Sequence, residues 1–318
     1  MKKLILLAAV TAVLCSSVAA RAAESTYHHV HIRASDPKAA AEWYTQYMGG
    51  SMLGDSAVQM SSAYLFIFPE KFFGADGSPY PGGDLKGSEG TAVDHLGFSF
   101  EDLDAKMEEF KSAGIEILQE VRDIQGKFKF ALIMDPWGTK LEVMEDPELF
   151  GFHHVHVVSK DPQKAIIWYQ EIFGGEITTY KGLSALPSIR YGGMWLIISK
   201  TDKDIAPTEF RSIDHLGWGF TDLAKEMARI KERGEKIVAK MHDYRGTNYA
   251  YIESPEGALI ELAETKGGDN MAGEETRYWK FDHIGVIIAD MDKTVEYYKS
   301  LGIVDFAPEP AEPGEPAV

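Results

Sequence analysis

Apolar and polar positions alternate with a period of two over Tyr27–Arg33, Val93–Phe100, Phe152–Val158 and Ile213–Phe220. That period marks a half-buried strand. Val30 and Ile32 fall opposite His29 and His31, and Leu96, Phe98 and Phe100 fall opposite His95, Gly97 and Ser99. Val155 and Val157 likewise oppose His154. A helical stretch follows each strand. Asp36 and Asp161 stand at N-cap positions with proline next, a favoured first helical residue, and Asp102 and Asp222 are the N-cap candidates of the other two. Gly49, Gly114, Gly174 and Gly234 close the four helices. Further β-type runs come after. Phe130–Met134 and Lys140–Met144 flank Asp135-Pro136-Trp137-Gly138, and Tyr249–Glu253 and Leu259–Ala263 flank Ser254-Pro255-Glu256-Gly257. Both links read as tight turns with proline second and glycine fourth. Each unit is therefore β-α-β-β-β.

The units are copies. His28-His29-Val30-His31, Asp36-Pro37, Trp43-Tyr44 and Gly49-Gly50 return as His153-His154-Val155-His156, Asp161-Pro162, Trp168-Tyr169 and Gly174-Gly175, each 125 positions later. Asp94-His95-Leu96-Gly97 returns as Asp214-His215-Leu216-Gly217. Repetition of this kind signals a fold built by duplication. Pairing consecutive units gives an expected first domain at 27–148 and a second at 151–265. A Gly/Pro-rich loop occupies 69–90 inside the first, and a linker follows at 266–278. A fifth opening, Phe281-Asp282-His283-Ile284-Gly285-Val286, begins a half-unit at 279–318 that ends in a Pro/Glu-rich tail. It is either a truncated third domain, the favoured reading, or a half that pairs with another chain in a homo-oligomer.

Composition narrows the function. The 318 residues carry a formal charge of −17, which argues against nucleic acid and anionic membrane surfaces as partners. Residues 1–22 have the pattern of a signal peptide: Lys2-Lys3, an apolar run from Leu4 to Leu14, then small residues. The run is too short to span a bilayer, so a periplasmic or secreted protein with no membrane insertion after cleavage is expected. The only cysteine, Cys15, lies in this leader. The mature chain then has no thiol for disulfides, catalysis or metal binding.

The strand histidines, the helices carrying Trp-Tyr and Gly-Gly, and the closing Pro-x-Gly…Glu strands resemble the vicinal oxygen chelate superfamily. Its members include glyoxalase I, extradiol dioxygenases, fosfomycin-resistance transferases, methylmalonyl-CoA epimerase and bleomycin-binding proteins. The resemblance implies an α+β fold in which paired βαβββ units form open, U-shaped, eight-stranded sheets around a metal. Each strand histidine precedes its helix N-cap aspartate by seven positions: His29/Asp36, His95/Asp102, His154/Asp161, His215/Asp222 and His283/Asp290. These match the family's first-strand ligand position, and Glu142 and Glu261 match its last-strand position. With consecutive units paired, one set is His29, His95 and Glu142, and the other is His154, His215 and Glu261. Two imidazoles and a carboxylate suit a divalent metal, Fe(II) or Mn(II) above others, with places left for a small oxygen-chelating substrate. His31 and His156 share the ligand face without an assigned role.

Glyoxalase I takes a fourth ligand from the last strand of its odd units. Here those strands read Tyr64-Leu65-Phe66-Ile67 and Trp195-Leu196-Ile197-Ile198, with no carboxylate or amide, which disfavours that site. The stretch from His242 through Tyr251 to Glu261 is instead similar to the extradiol dioxygenase signature, departing at Ala250 and Ser254. That similarity implies His242 and Tyr251 beside bound oxygen and substrate. Asp123 and Leu132 occupy the matching places in the earlier copy. The extradiol acid/base histidine has no counterpart in Lys200–Ser212, which counts against ring cleavage. A metal-dependent lyase, epimerase or transferase of the same fold, and a non-catalytic small-molecule binder, are the alternative readings.

Overall fold

The computed structural model describes residues 25–244 and 246–265. The leader at 1–22, the linker at 266–278 and the half-unit at 279–318, His283 included, lie outside the described residues. The first unit is β1 (Ser25–Ala34), α1 (Pro37–Met48), β2 (Ser51–Met52), β3 (Ala57–Gln59) and β4 (Tyr64–Pro69). The second is β5 (Val93–Ser99), α2 (Leu103–Ser112), β6 (Glu116–Asp123), β7 (Lys129–Met134) and β8 (Lys140–Glu145). The third is β9 (Gly151–Ser159), α3 (Pro162–Phe173), β10 (Ile177–Thr179), β11 (Pro187–Tyr191) and β12 (Met194–Lys200). The fourth is β13 (Ile213–Phe220), α4 (Leu223–Glu232), β14 (Lys236–Tyr244), β15 (Thr247–Glu253) and β16 (Leu259–Glu264).

The local signals act as expected. Asp36, Asp102, Asp161 and Asp222 accept hydrogen bonds from the backbone N–H groups of Ala39, Ala105, Lys164 and Lys225, satisfying donors that the first helical turn leaves free. Gly138 and Gly257 close their turns at φ 86° and 96°, a conformation that favours glycine there, and each donates back to the first residue of its turn.

The strands form two mixed sheets of eight, ordered β14-β15-β16-β13-β1-β4-β3-β2 and β10-β11-β12-β9-β5-β8-β7-β6. The fold is α+β, as expected, but the pairing of units differs. Unit one shares its sheet with unit four, and unit two with unit three. The domains drawn at 27–148 and 151–265 therefore do not correspond to the sheets.

Linker length explains the difference. Residues 146–150 alone join β8 to β9, which flank β5 on either side. A five-residue link reaches about 17 Å when extended, enough to cross two strand spacings of about 5 Å each. Residues 70–92 and 201–212 are long enough to carry the chain between sheets. Units one and two, and units three and four, do meet, but on their helical sides. Tyr44 of α1 packs on Phe98 of β5 and donates to Asp135, while Phe173 of α3 stacks on Trp218 of β13 at 4.1 Å.

Candidate metal centres

The paired central strands of each sheet bring their histidines together. In the first sheet β1 and β13 run antiparallel, with His31 opposite His215 and His29 opposite Gly217. Glu261 of β16 lies on the other side of Gly217. The absent side chain at Gly217 leaves the room that the His29 ring fills: an added Cβ would lie 2.1 Å from His29 Cε1. The second sheet repeats this. His95 faces His156, and Gly97 lies between His154 and Glu142.

Two clusters result, His29/His31/His215/Glu261 and His95/His154/His156/Glu142. Within each, one ligand atom per residue lies within 4.8 Å of all the others. Every predicted ligand is in a cluster, yet the expected grouping is exchanged. Glu261 and His215 meet His29 rather than His154, and Glu142 and His95 meet His154 rather than His29. The exchange follows from the sheet pairing. His31 and His156 complete the two sets, and their only signal in the sequence is their place two residues beyond His29 and His154, on the same strand face.

Outer partners hold the rings. His215 Nδ1 bonds Asp214 Oδ1 at 2.7 Å, and His95 Nδ1 bonds Asp94 Oδ2 at 2.8 Å. His29 Nδ1 is paired with His28 Nδ1 at 2.8 Å, and His154 Nδ1 with His153 Nδ1 at 2.9 Å. His153 leans in turn on Asp146, which also accepts from Tyr180 and Lys181. These contacts turn Nε2 of His29, His215, His95 and His154 toward the clusters, where all four are buried without a hydrogen-bond partner. Nδ1 of His31 and of His156 is in the same condition. An orphaned buried nitrogen is costly unless something binds it.

The spacing fits a metal ion. Two ligands held about 2.1 Å from one ion lie about 3.0–3.4 Å apart at octahedral or tetrahedral angles. His29 Nε2 is 3.4 Å from Glu261 Oε1, His215 Nε2 is 3.5 Å from Glu261 Oε2, and His95 Nε2 is 3.2 Å from Glu142 Oε2. Charge agrees. Burial holds His29, His31, His154 and His156 well below the ordinary imidazole range, in the neutral form that binds metals. At His215 burial also acts downward, but the Asp214 bond and the facing Glu261 carboxylate outweigh it and raise the group to about 9. Burial lifts Glu261, yet the neighbouring His29 and His215 rings and the bond from Tyr251 bring it to about 2. Without metal, the cluster therefore keeps a proton on His215 where a divalent cation would sit.

The two clusters differ around their rims. The first opens into a cavity of about 1410 Å³, lined from unit one by Phe66, Phe68, Phe72 and Phe73 and from unit four by His242 and Tyr251. Both extradiol-like residues are thus at this cluster, which contains His29, whereas the expected set that held Glu261 contained His154. The Tyr251 hydroxyl donates to Glu261. His242 is exposed at the mouth, its ring parallel to Tyr251 within 16° at 6.5 Å. The second cluster adjoins a pocket of about 190 Å³, walled by Ile124, Phe128, Phe130, Tyr180, Leu186 and Ile197. Leu132 sits opposite Glu142 there, as Tyr251 sits opposite Glu261. Phe66 stands beside His29 and His31, confirming an apolar residue in the odd-unit strand.

These features place the protein in a structural class of duplicated βαβββ proteins whose clefts hold clusters of potential metal ligands. The chain belongs to the Glyoxalase/Bleomycin resistance protein/Dioxygenase superfamily, whose family model matches residues 26–143 and 151–262. Among solved structures it is similar to glyoxalase I from Zea mays, at 16% identity over 76% of this chain and 92% of that one, with a TM-score of 0.58. It is also similar to a Bacillus subtilis protein described as a candidate dioxygenase, at 14% identity over 89% and 97% of the two chains, with a TM-score of 0.54. At these identities the likeness shows the fold. No curated protein matches the sequence.

Proposed function

We propose that this protein is a metal-dependent enzyme acting on a small oxygen-bearing substrate at His29, His31, His215 and Glu261, with extradiol dioxygenase-like chemistry as the leading reading. One observation carries it: three buried imidazole nitrogens without partners face a carboxylate on the floor of a large cavity. Fe(II) or Mn(II), the favoured ions, would act there as a Lewis acid that lowers the pKa of substrate hydroxyls. The protein's own groups do the rest. Asp214 and His28 fix the orientation of His215 and His29. Tyr251 holds one oxygen of Glu261 and limits how that carboxylate turns. His242, at the mouth, would hydrogen-bond a substrate oxygen, and the phenylalanines would receive the apolar part of the substrate.

A second reading, a lyase, epimerase or transferase closer to glyoxalase I, is favoured by His31. It gives the cluster a fourth protein ligand, from the first strand rather than the last. A binder without catalysis would leave four convergent ligand groups without use. The leader pattern of residues 1–22 supports action outside the cytoplasm, which fractionation of cells would test.

The deciding experiment loads purified protein with Fe(II) without air, measures bound metal, and follows catechol ring opening on adding oxygen. Ring opening that His215→Ala abolishes supports the leading reading. Metal binding without ring opening moves the assignment to the second. No bound metal after reconstitution overturns both.

A further inference from the structure

The segment after β4 forms a lip over the first cavity. Phe72 and Phe73 on it are 42% and 61% exposed, and both line the cavity with Gly74, Ala75, Asp76 and Gly77. Behind the lip lies Arg33, the only arginine among the fully buried side chains of the described residues. Its Nε donates to Asp214 Oδ2 at 2.5 Å. Nη1 donates to the carbonyls of Glu70 and Phe72, at 3.3 and 2.8 Å, and Nη2 to that of Phe73, at 3.1 Å. The other oxygen of Asp214 holds His215.

A guanidinium presents its donors in a rigid, planar fork, so its two ends cannot be placed independently. We propose that Arg33 is a positioning residue that fixes the 70–77 lip and, through Asp214, the orientation of His215, so that lip and metal ligand are set together. This rests on the reading that the cluster binds a metal.

Three further features fit a rigid clamp. Phe210 is held at φ 64°, an uncommon conformation for a bulky residue. Its N–H donates to the same Asp214 oxygen at 2.8 Å, and its ring lies 5.0 Å from the guanidinium carbon. The Ala75 N–H is tied to Glu209 at 2.9 Å. The second cluster has no such clamp: Val158 occupies the place of Arg33, and Asp94 is met by Lys140 at 2.6 Å.

The test uses the full chain carrying His95→Ala and His154→Ala, so that only the first cluster loads, with Co(II) as the probe. Amide hydrogen exchange reads the lip at Phe72, Gly74, Ala75 and Gly77, whose N–H groups are all hydrogen-bonded. Arg33→Lys keeps the charge but has no fork to reach both ends. It should speed lip exchange at least tenfold and change Co(II) affinity less than threefold. Arg33→Met should do the same to the lip, weaken Co(II) by about 10–100-fold, and alter its visible absorption. In the parent, loading Co(II) should slow lip exchange, because coupling is reciprocal. Unchanged lip exchange in both variants overturns the clamp. No effect of Co(II) on lip exchange in the parent overturns the link to His215, whether or not Arg33→Met folds. A parent that binds no Co(II) refutes the metal reading instead, and exchange in Arg33→Lys still decides the lip.

Discussion

Replacing Gly217 with alanine should remove one metal site through a clash across two strands. The new Cβ would lie 2.1 Å from His29 Cε1, 2.3 Å from Nε2 and 2.4 Å from Nδ1. Ordinary contact between carbon atoms needs about 3.5 Å, so the ring must retreat by more than about 1 Å. Metal–ligand distances tolerate about 0.2 Å, so His29 is lost as a ligand. Gly217 has no left-handed φ, which leaves sterics as the whole cost. Overpacking of this kind destabilises by about 1–3 kcal/mol. Metal affinity at the first cluster should fall at least about 100-fold, since loss of an outer partner alone costs 10–100-fold. Gly97→Ala should do the same to the second cluster, where the Cβ meets His154 at 2.1 Å. Metal analysis after reconstitution and gel filtration should show two ions per wild-type chain and one in either variant. Thermal unfolding supplies the energetic half. In His29→Ala/Gly217→Ala the clash disappears, so the double variant should recover at least about 1 kcal/mol relative to the sum of the singles. Two tightly held ions in Gly217→Ala, or strictly additive stabilities, would refute the placement of His29 over this glycine.

Other consequences are as direct. His29→Ala/His215→Ala should retain one ion per chain and His154→Ala/His215→Ala none; consecutive pairing of units would give the reverse. Asp214→Asn leaves the buried Arg33 charge uncompensated and should cost about 3–5 kcal/mol in denaturant unfolding, more than Asp94→Asn, whose partner Lys140 is less buried. Metal-free protein should lose stability as pH rises from about 6.5 toward 9. The His215 proton, held to about 9 when folded and to about 6.5 when unfolded, stabilises the fold below that window and is gone above it; unfolding at constant ionic strength measures this, and a flat profile would count against the His215–Glu261 pair. Tyr251→Phe frees one oxygen of Glu261 and should weaken metal binding by about tenfold at the first cluster only, read by competition with a chromophoric chelator.

The chemistry of the site was legible because it rests on period two. Alternation alone put His29, His95, His154, His215, Glu142 and Glu261 on the faces opposite the apolar ones, and all six reach a cluster. What alternation does not carry is which strands become neighbours. The pattern of β1 reads the same beside β5 or beside β13. The length of the links does discriminate. Residues 146–150 suffice to cross one strand within a sheet, whereas 70–92 can carry the chain between sheets, and that comparison within the sequence points to the observed pairing. His31 was visible on the right face, but its ring reaches His215 only because those two residues are directly opposed. Arg33 gave no signal. An arginine at the end of a strand reads as solvated, and its burial depends on Asp214 from a strand 181 residues away and on carbonyls of an irregular loop.

The two clusters show how one duplicated scaffold comes to hold unequal sites. Their inner parts match: three imidazoles, one carboxylate, a glycine under a histidine, and an aspartate behind another. Such a set is fixed by strand register, and changing it would damage the sheet as well as the site. The differences lie one layer out, at Tyr251 against Leu132, His242 against Asp123 and Arg33 against Val158, and in the lip that Arg33 holds. Those positions are free to vary because they do not set the pairing of β1 with β13 or of β5 with β9. They decide instead what can reach the ligand groups: a cavity of about 1410 Å³ in one sheet and a pocket of about 190 Å³ in the other. On this fold the convergent ligand set comes with the repeat, and access to it is set at the rim.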